Sequence, residues 1–145
     1  MSLRWVYLDT STYLKLFVKE KGSQAARNLV KKSRILSSAI LTIECYSSLS
    51  RKRKRGEIGD KDFDKLVNRI KKATEYIEIL RLTDEILLRA ESVALQSDSR
   101  TLDSIHIASA LMFKDATEID LTFVTSDKRQ QEFAHHQGLK TSFVG

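Results

Sequence analysis

Apolar positions along this chain follow two different spacings. Short runs rich in branched and aromatic side chains at residues 5–8, 35–37, 76–80, 121–125 and 141–144 predict five β-strands. Between them, apolar residues recur every three or four positions, which predicts helices at 11–17, 23–31, 39–55, 60–74, 84–96, 101–113 and 127–137. Several of these helices open on Ser, Thr or Asp, and Gly56 and Gly138 fall where helices should stop. Strands separated by helical stretches long enough for crossovers imply a parallel sheet covered on both faces. The expected fold is a three-layer α/β/α sandwich around a central, mostly parallel sheet of about five strands. No internal repeat or long linker divides the pattern, so one domain is expected over residues 1–145.

Composition agrees with a packed core. The chain has 145 residues, of which 41% are hydrophobic and 30% charged. At that size roughly two-thirds of the unfolded surface can be buried. Cys45 has no second cysteine to pair with, and no Cys or His spacing resembles a zinc site, which points to a reducing compartment and a cytoplasmic location. No apolar stretch approaches the roughly 18 residues of a membrane span, and Asp9 arrives before a signal-peptide core could form. No membrane association is expected. Met1-Ser2-Leu3 has the look of a cloning remnant and is given no weight.

The net charge of +6 biases the chain toward polyanions. The excess is concentrated: between Arg51 and Lys72 there are ten Lys or Arg against four acids. Its plain structural alternative is a solvated helix end whose cations complement the helix dipole. Charge by itself does not name the partner.

Four acids change the picture. Asp9 directly follows the strand 5–8, and Asp127 follows the strand 121–125 with Ser126 between. In open α/β sheets ligands bind beyond the carboxyl ends of the strands, although each acid could equally be a helix cap. Asp103 opens a helix and shares a face with Ile107, Ala110 and Leu111, so its carboxylate projects past an apolar stripe. The alternative there is first-turn dipole placement, with His106 three residues on. Glu44 sits mid-helix among Ile40, Leu41, Ser47 and Ser48; otherwise it would be a solvated residue pairing with a cation such as Arg51.

Together the four make a stronger case than any one alone. Two carboxylates about 5 Å apart repel by roughly 3 kcal/mol at an effective dielectric near 20, so a ring of four needs protons or a cation. Oxygen ligands without His or Cys suit Mg²⁺ or Mn²⁺. The chemistry such a site serves is phosphodiester hydrolysis by water that the metal activates.

The segments Leu8-Asp9-Thr10-Ser11, Leu41-Thr42-Ile43-Glu44-Cys45-Tyr46-Ser47-Ser48-Leu49, Leu102-Asp103-Ser104-Ile105-His106-Ile107-Ala108-Ser109-Ala110-Leu111 and Phe123-Val124-Thr125-Ser126-Asp127 together resemble the four acidic motifs of PIN domains. The likeness is greatest to the VapC-type toxins of toxin-antitoxin pairs and runs from about residue 4 to 144. The resemblance implies that Asp9, Glu44, Asp103 and Asp127 coordinate metal, with a supporting hydroxyl from Thr10, Ser11 or Ser126. It further implies an Mg²⁺-dependent endoribonuclease leaving 5′-phosphate and 3′-hydroxyl ends, a homodimer, and a small antitoxin docked near the site. In such an enzyme Arg51, Lys52, Arg53, Lys54, Arg55, Lys65, Arg69 and Lys72 would hold the RNA backbone, and a structured RNA loop would be a plausible substrate.

Other signals carry less. His106, His135 and His136 lack a nucleophile arrangement, and His106 reads as a surface or core histidine. Cys45 reads as a packing residue, and Asp98 and Asp120 as loop and turn residues. An aspartyl-phosphate phosphotransferase would need a second acid two residues after Asp9, where this chain has Ser11. The remaining rivals are a PIN-like RNA- or protein-binding module that cuts nothing, and a general RNA-processing nuclease without an antitoxin.

Overall fold

The computed structural model describes residues 3–145; Met1 and Ser2, given no weight above, lie outside the described residues. In chain order the elements are β1 (Arg4–Leu8), α1 (Thr10–Leu14), α2 (Ser23–Lys31), β2 (Ser33–Ser38), α3 (Leu41–Lys54), α4 (Asp60–Thr74), β3 (Glu78–Leu80), α5 (Asp84–Gln96), α6 (Thr101–Thr117), β4 (Leu121–Thr125), α7 (Lys128–His136) and β5 (Lys140–Phe143).

The five strands form one sheet in the order β3-β2-β1-β4-β5, and every pairing is parallel. β1 is central: Tyr7 pairs with Leu36 of β2 on one side and with Phe123 of β4 on the other. From β1 the chain first builds outward through β2 and β3, then returns to add β4 and β5 on the opposite flank. The reversal therefore falls between β1 and β4, and in open α/β sheets that crevice is where ligands bind.

Alternation along β1 divides the core. Val6 and Leu8 face a cluster with Leu14, Ala26, Leu41, Cys45, Leu49 and Ile70, contributed by α1, α2, α3 and α4. Tyr7 faces the other side with Leu36, Val93, Ile107, Leu111, Phe123 and Ala134, where α5, α6 and α7 pack. Both faces are covered, as a parallel sheet requires. A smaller cluster of Ile40, Ile86, Ala90, Ile105 and Ala108 joins α5 and α6 near the start of α3.

Several boundaries differ from expectation, each for a local reason. The helix expected at 11–17 ends at Leu14, where the backbone tightens into turns closed by Leu16 N–H to Tyr13 O and Phe17 N–H to Leu14 O, both 3.0 Å. β3 starts at Glu78 rather than Tyr76, because its edge pairs only with Leu36 to Ser38 and Tyr76 lies outside that register, 87% exposed. α3 starts at Leu41 after a turn at Ala39 and Ile40. α6 runs four residues past the expected 113, to Thr117, and stops on Glu118 in the left-handed conformation at φ 58°. Gly56 and Gly138 do stand at positive φ, 77° and 92°, just beyond α3 and α7. Asp127 caps α7 rather than forming its first residue.

Candidate active site

All four acids singled out in the sequence line one cleft of about 490 Å³, together with Thr10, Ser11, Leu14, Ile43, Ser47, Ser48, Arg51, Leu102 and His106. The cleft opens at the carboxyl edge of the sheet. Asp9 leaves the end of β1, Asp127 follows β4, and the two strands are direct neighbours through Leu8 and Val124. Glu44 comes from the first turn of α3 in one helical layer, and Asp103 from the first turn of α6 in the other.

Asp9 is the most firmly held. It is 4% exposed and caps α1. Its Oδ1 accepts from the Ser11 hydroxyl at 2.7 Å and the Thr12 amide at 3.1 Å, and its Oδ2 accepts from Thr125 Oγ1 at 2.5 Å. Burial pushes its pKa up, and the charge of His106 with these hydrogen bonds only partly offsets that.

Glu44 does not pair with Arg51. Its Oε1 accepts from Thr10 Oγ1 and from His106 Nε2, both at 2.6 Å. Burial is the largest single influence and raises its pKa, but the His106 hydrogen bond and charge, with the Thr10 hydroxyl, outweigh it and leave the pKa lowered. Neither bond falls on Oε2, which is not a buried unpartnered atom and so is open to the cleft.

Asp103 is half-buried, and its carboxylate makes no hydrogen bond or ion pair among the described residues. Burial raises its pKa, and Asp9, Asp127 and Glu44 add repulsion against the single opposing influence of His106. The four acids are thus close enough to feel one another. Asp127 is more exposed; its Oδ1 accepts the amides of Arg129 at 2.9 Å and Gln130 at 3.3 Å as the cap of α7.

The supporting hydroxyls divide the work. Thr10 serves Glu44 and Ser11 serves Asp9, while Ser11 Oγ also accepts the Ser126 amide at 3.2 Å. Ser126 Oγ reaches Thr12 at 3.3 Å and makes no hydrogen bond to an acid among the described residues. Two residues were missed by sequence reasoning. Thr125 bonds Asp9 and also accepts the Asp127 amide at 3.1 Å. His106, read as a surface or core histidine, is 1% exposed and spans Tyr7 and Glu44. The signal available for His106 was its place one turn beyond Asp103 on the same inward face.

Of the cations expected to hold RNA, Arg51 lines the cleft. Arg53 lies 3.8 Å over the Phe63 ring, Arg55 pairs with Glu57 at 3.2 Å, and Arg69 sits over Phe17 at 5.6 Å. Lys52, Lys54, Lys65 and Lys72 are not among the residues lining it. Asp98, expected to be a loop residue, lines a smaller adjoining cleft of about 170 Å³ that shares Asp103 and Asp127. There Gln130 donates to Asp103 O at 3.0 Å, while its buried Oε1 has no partner among the described residues. Asp120 pairs with Lys140 at 3.2 Å, and Cys45 is buried packing with its thiol pushed up to about 12.

The donor set tests the fit to a cation. Among the described residues, no three His, Cys, Asp or Glu side chains gather closely enough to grip one ion. Mg²⁺, however, keeps most of its waters and is commonly bound through one or two carboxylates. Open oxygens on Glu44 and Asp103, beside mutually repelling acids, fit that mode of binding.

A parallel α/β domain with acids at its switch point defines a class, and the comparisons with known proteins name it. The PIN domain family profile matches residues 6–136, and the chain belongs to that family. No curated protein matches the sequence. Among solved structures the fold is shared with DNA-bound VapBC from Salmonella typhimurium, at TM-score 0.68 and 15% identity over 99% of this chain and 100% of that one. VapBC2 from Rickettsia felis, bound to a promoter DNA fragment, aligns at 0.68 and 14%, covering 96% and 98%. The Mycobacterium tuberculosis toxin VapC20, described as cleaving the sarcin-ricin loop, aligns at 0.66 and 13%, covering 92% and 95%. No helix among the described residues is long and apolar enough to cross a membrane.

Proposed function

We propose that the chain is a VapC-like endoribonuclease, acting as one PIN domain, that hydrolyses RNA phosphodiester bonds in the cleft lined by Asp9, Glu44, Asp103 and Asp127, with a divalent cation bound there chiefly through Glu44 and Asp103. The observation that carries this reading is the meeting of four acids from four separate segments in one cleft at the sheet's switch point. Mg²⁺ or Mn²⁺ bound there would lower the pKa of an attacking water and neutralise charge that builds on the phosphorus.

The chain's own residues supply the rest. Glu44 and Asp103 present open oxygens, while Asp9 is held in place by hydrogen bonds from Ser11, Thr12 and Thr125. Arg51, two turns along α3 from Glu44, offers its guanidinium to a backbone phosphate entering the cleft. Neighbours solved as toxin-antitoxin complexes support a small antitoxin as partner, and a homodimer in a cytoplasmic setting belongs to the same proposal.

The test is cleavage of total cellular RNA with Mg²⁺, comparing the wild type with Asp9→Asn and with EDTA. Cutting is expected to vanish in both controls. Full activity of the Asp9→Asn variant would remove Asp9 from the site, and activity unaffected by EDTA would remove the cation. A chain that cuts nothing but still retains RNA would be the non-catalytic binding module. Growth arrest on expression, relieved by a neighbouring small protein, separates a toxin from a general processing nuclease.

A further inference from the structure

A buried histidine that only filled space would leave two polar nitrogens to satisfy. His106 spends each on a different element. Its Nδ1 lies 2.7 Å from the Tyr7 hydroxyl on β1, and its Nε2 lies 2.6 Å from Glu44 Oε1 on α3. The Tyr7 ring meets the imidazole edge-on, with centroids 5.7 Å apart, and is itself stacked on Phe123 at 5.3 Å. The ring is therefore braced by the centre of the sheet, and its far nitrogen points at an acid of the cleft.

We propose that His106 is a positioning residue for Glu44: braced by Tyr7, its Nε2–H holds Oε1 so that Oε2 is presented to the cleft. The proposal rests on the nuclease reading for its consequence in catalysis, but its geometry stands apart from it. An ionised carboxylate only accepts hydrogen bonds, so Nε2 must carry the hydrogen. That requirement holds for the neutral and the charged imidazole alike. Thr10 Oγ1 donates to the same Oε1 and lies 3.2 Å from Nε2, which closes a small triangle around one oxygen and leaves the other free.

Glu44 has three side-chain torsions and projects from a helix, so without such a clamp it would sample several rotamers. Groups that orient a ligating side chain typically influence metal affinity or activity by about 10–100-fold. The same range is expected here.

The experiment compares His106→Leu with His106→Gln, whose amide nitrogen can take the place of Nε2. Mg²⁺ binding is read from the rise in thermal midpoint on titration, which needs no catalysis, and RNA cleavage is read separately. His106→Leu is expected to require about 10–100-fold more Mg²⁺ and to lose a similar factor in kcat, while His106→Gln recovers to within a few-fold. Tyr7→Phe, which removes one hydroxyl, should shift both readouts the same way by a smaller factor. Nitrogen NMR of the metal-free wild type should show a protonated, hydrogen-bonded Nε2. An unprotonated Nε2, or a Leu variant with wild-type Mg²⁺ response, overturns the proposal, as does equal impairment of Leu and Gln variants of equal metal-free stability. Should His106→Leu fail to fold, the Gln and Phe variants and the NMR result decide. If the wild type cuts no RNA under any divalent cation, the nuclease reading falls, and the Mg²⁺ and NMR measurements still test His106.

Discussion

Thr125 Oγ1 donates to Asp9 Oδ2 at 2.5 Å and accepts the Asp127 amide at 3.1 Å, so one hydroxyl ties the ends of β1 and β4 and the acids that leave them. Replacing it by the isosteric valine removes a bond to a buried carboxylate. Thr125→Val is expected to lower stability by about 1.5–3 kcal/mol, the range for hydrogen bonds to charged groups, and to reduce cleavage. Urea unfolding checks it; an unchanged midpoint at an unchanged slope would contradict the account.

Asp103 has a folded pKa raised by burial and then by its acidic neighbours. The folded form thus holds a proton more tightly than the unfolded form does. Stability therefore falls as pH rises from the ordinary carboxylate value through the raised one, and the penalty is complete once the pH stands above that raised value. Above the raised pKa and without metal, Asp103→Asn should unfold at a higher temperature than wild type, though inactive. The gain should fade as pH drops through the raised pKa. Thermal unfolding across pH 3–8, with ranges chosen around the roughly 3.9 of a free Asp, tests both sign and window.

Arg51 lines the cleft, whereas Arg53 and Arg55 are engaged by Phe63 and Glu57. Arg51→Ala should raise KM and reduce the slope of log affinity against log salt by about 1, with smaller effects from replacing Arg53 and Arg55 together. Equal effects from all three would mean that the run acts as a diffuse patch.

Cys45 is buried beside Glu44, and its thiol pKa is pushed up to about 12 by burial and then by that neighbour. A thiol in that state is unreactive. Labelling by a disulfide reagent should be slow in the native protein and complete after unfolding in guanidinium. Rapid native labelling would show that the α3 face opens.

The sheet and the acid cleft were legible because their signals are local and repeated. Trp5 to Leu8 alternates faces before Asp9, and Leu121 to Thr125 does the same before Asp127, so two strand ends deliver carboxylates to one edge. What escaped were residues whose role exists only across long sequence separations. Thr125 reads as an ordinary branched strand residue until it meets Asp9 across the sheet. His106 reads as a surface or core histidine until Tyr7 and Glu44 arrive on either side of it. The basic run was visible, yet its composition could not say that Arg51 turns to the cleft while Arg53 packs on Phe63. β3 began later than expected because a partner's register, not its own branched residues, sets where an edge strand starts.

The position of β1 between β2 and β4 has a consequence for synthesis. A ribosome releasing this chain exposes Asp9 and Glu44 early, but the strand that seats Asp9's other neighbour, with Thr125 and Asp127, emerges more than a hundred residues after β1 begins, since β4 spans Leu121–Thr125. A nascent chain therefore lacks Asp127 and the Thr125 hydroxyl until β4 has been released, and the cleft can assemble only after that strand has paired with β1.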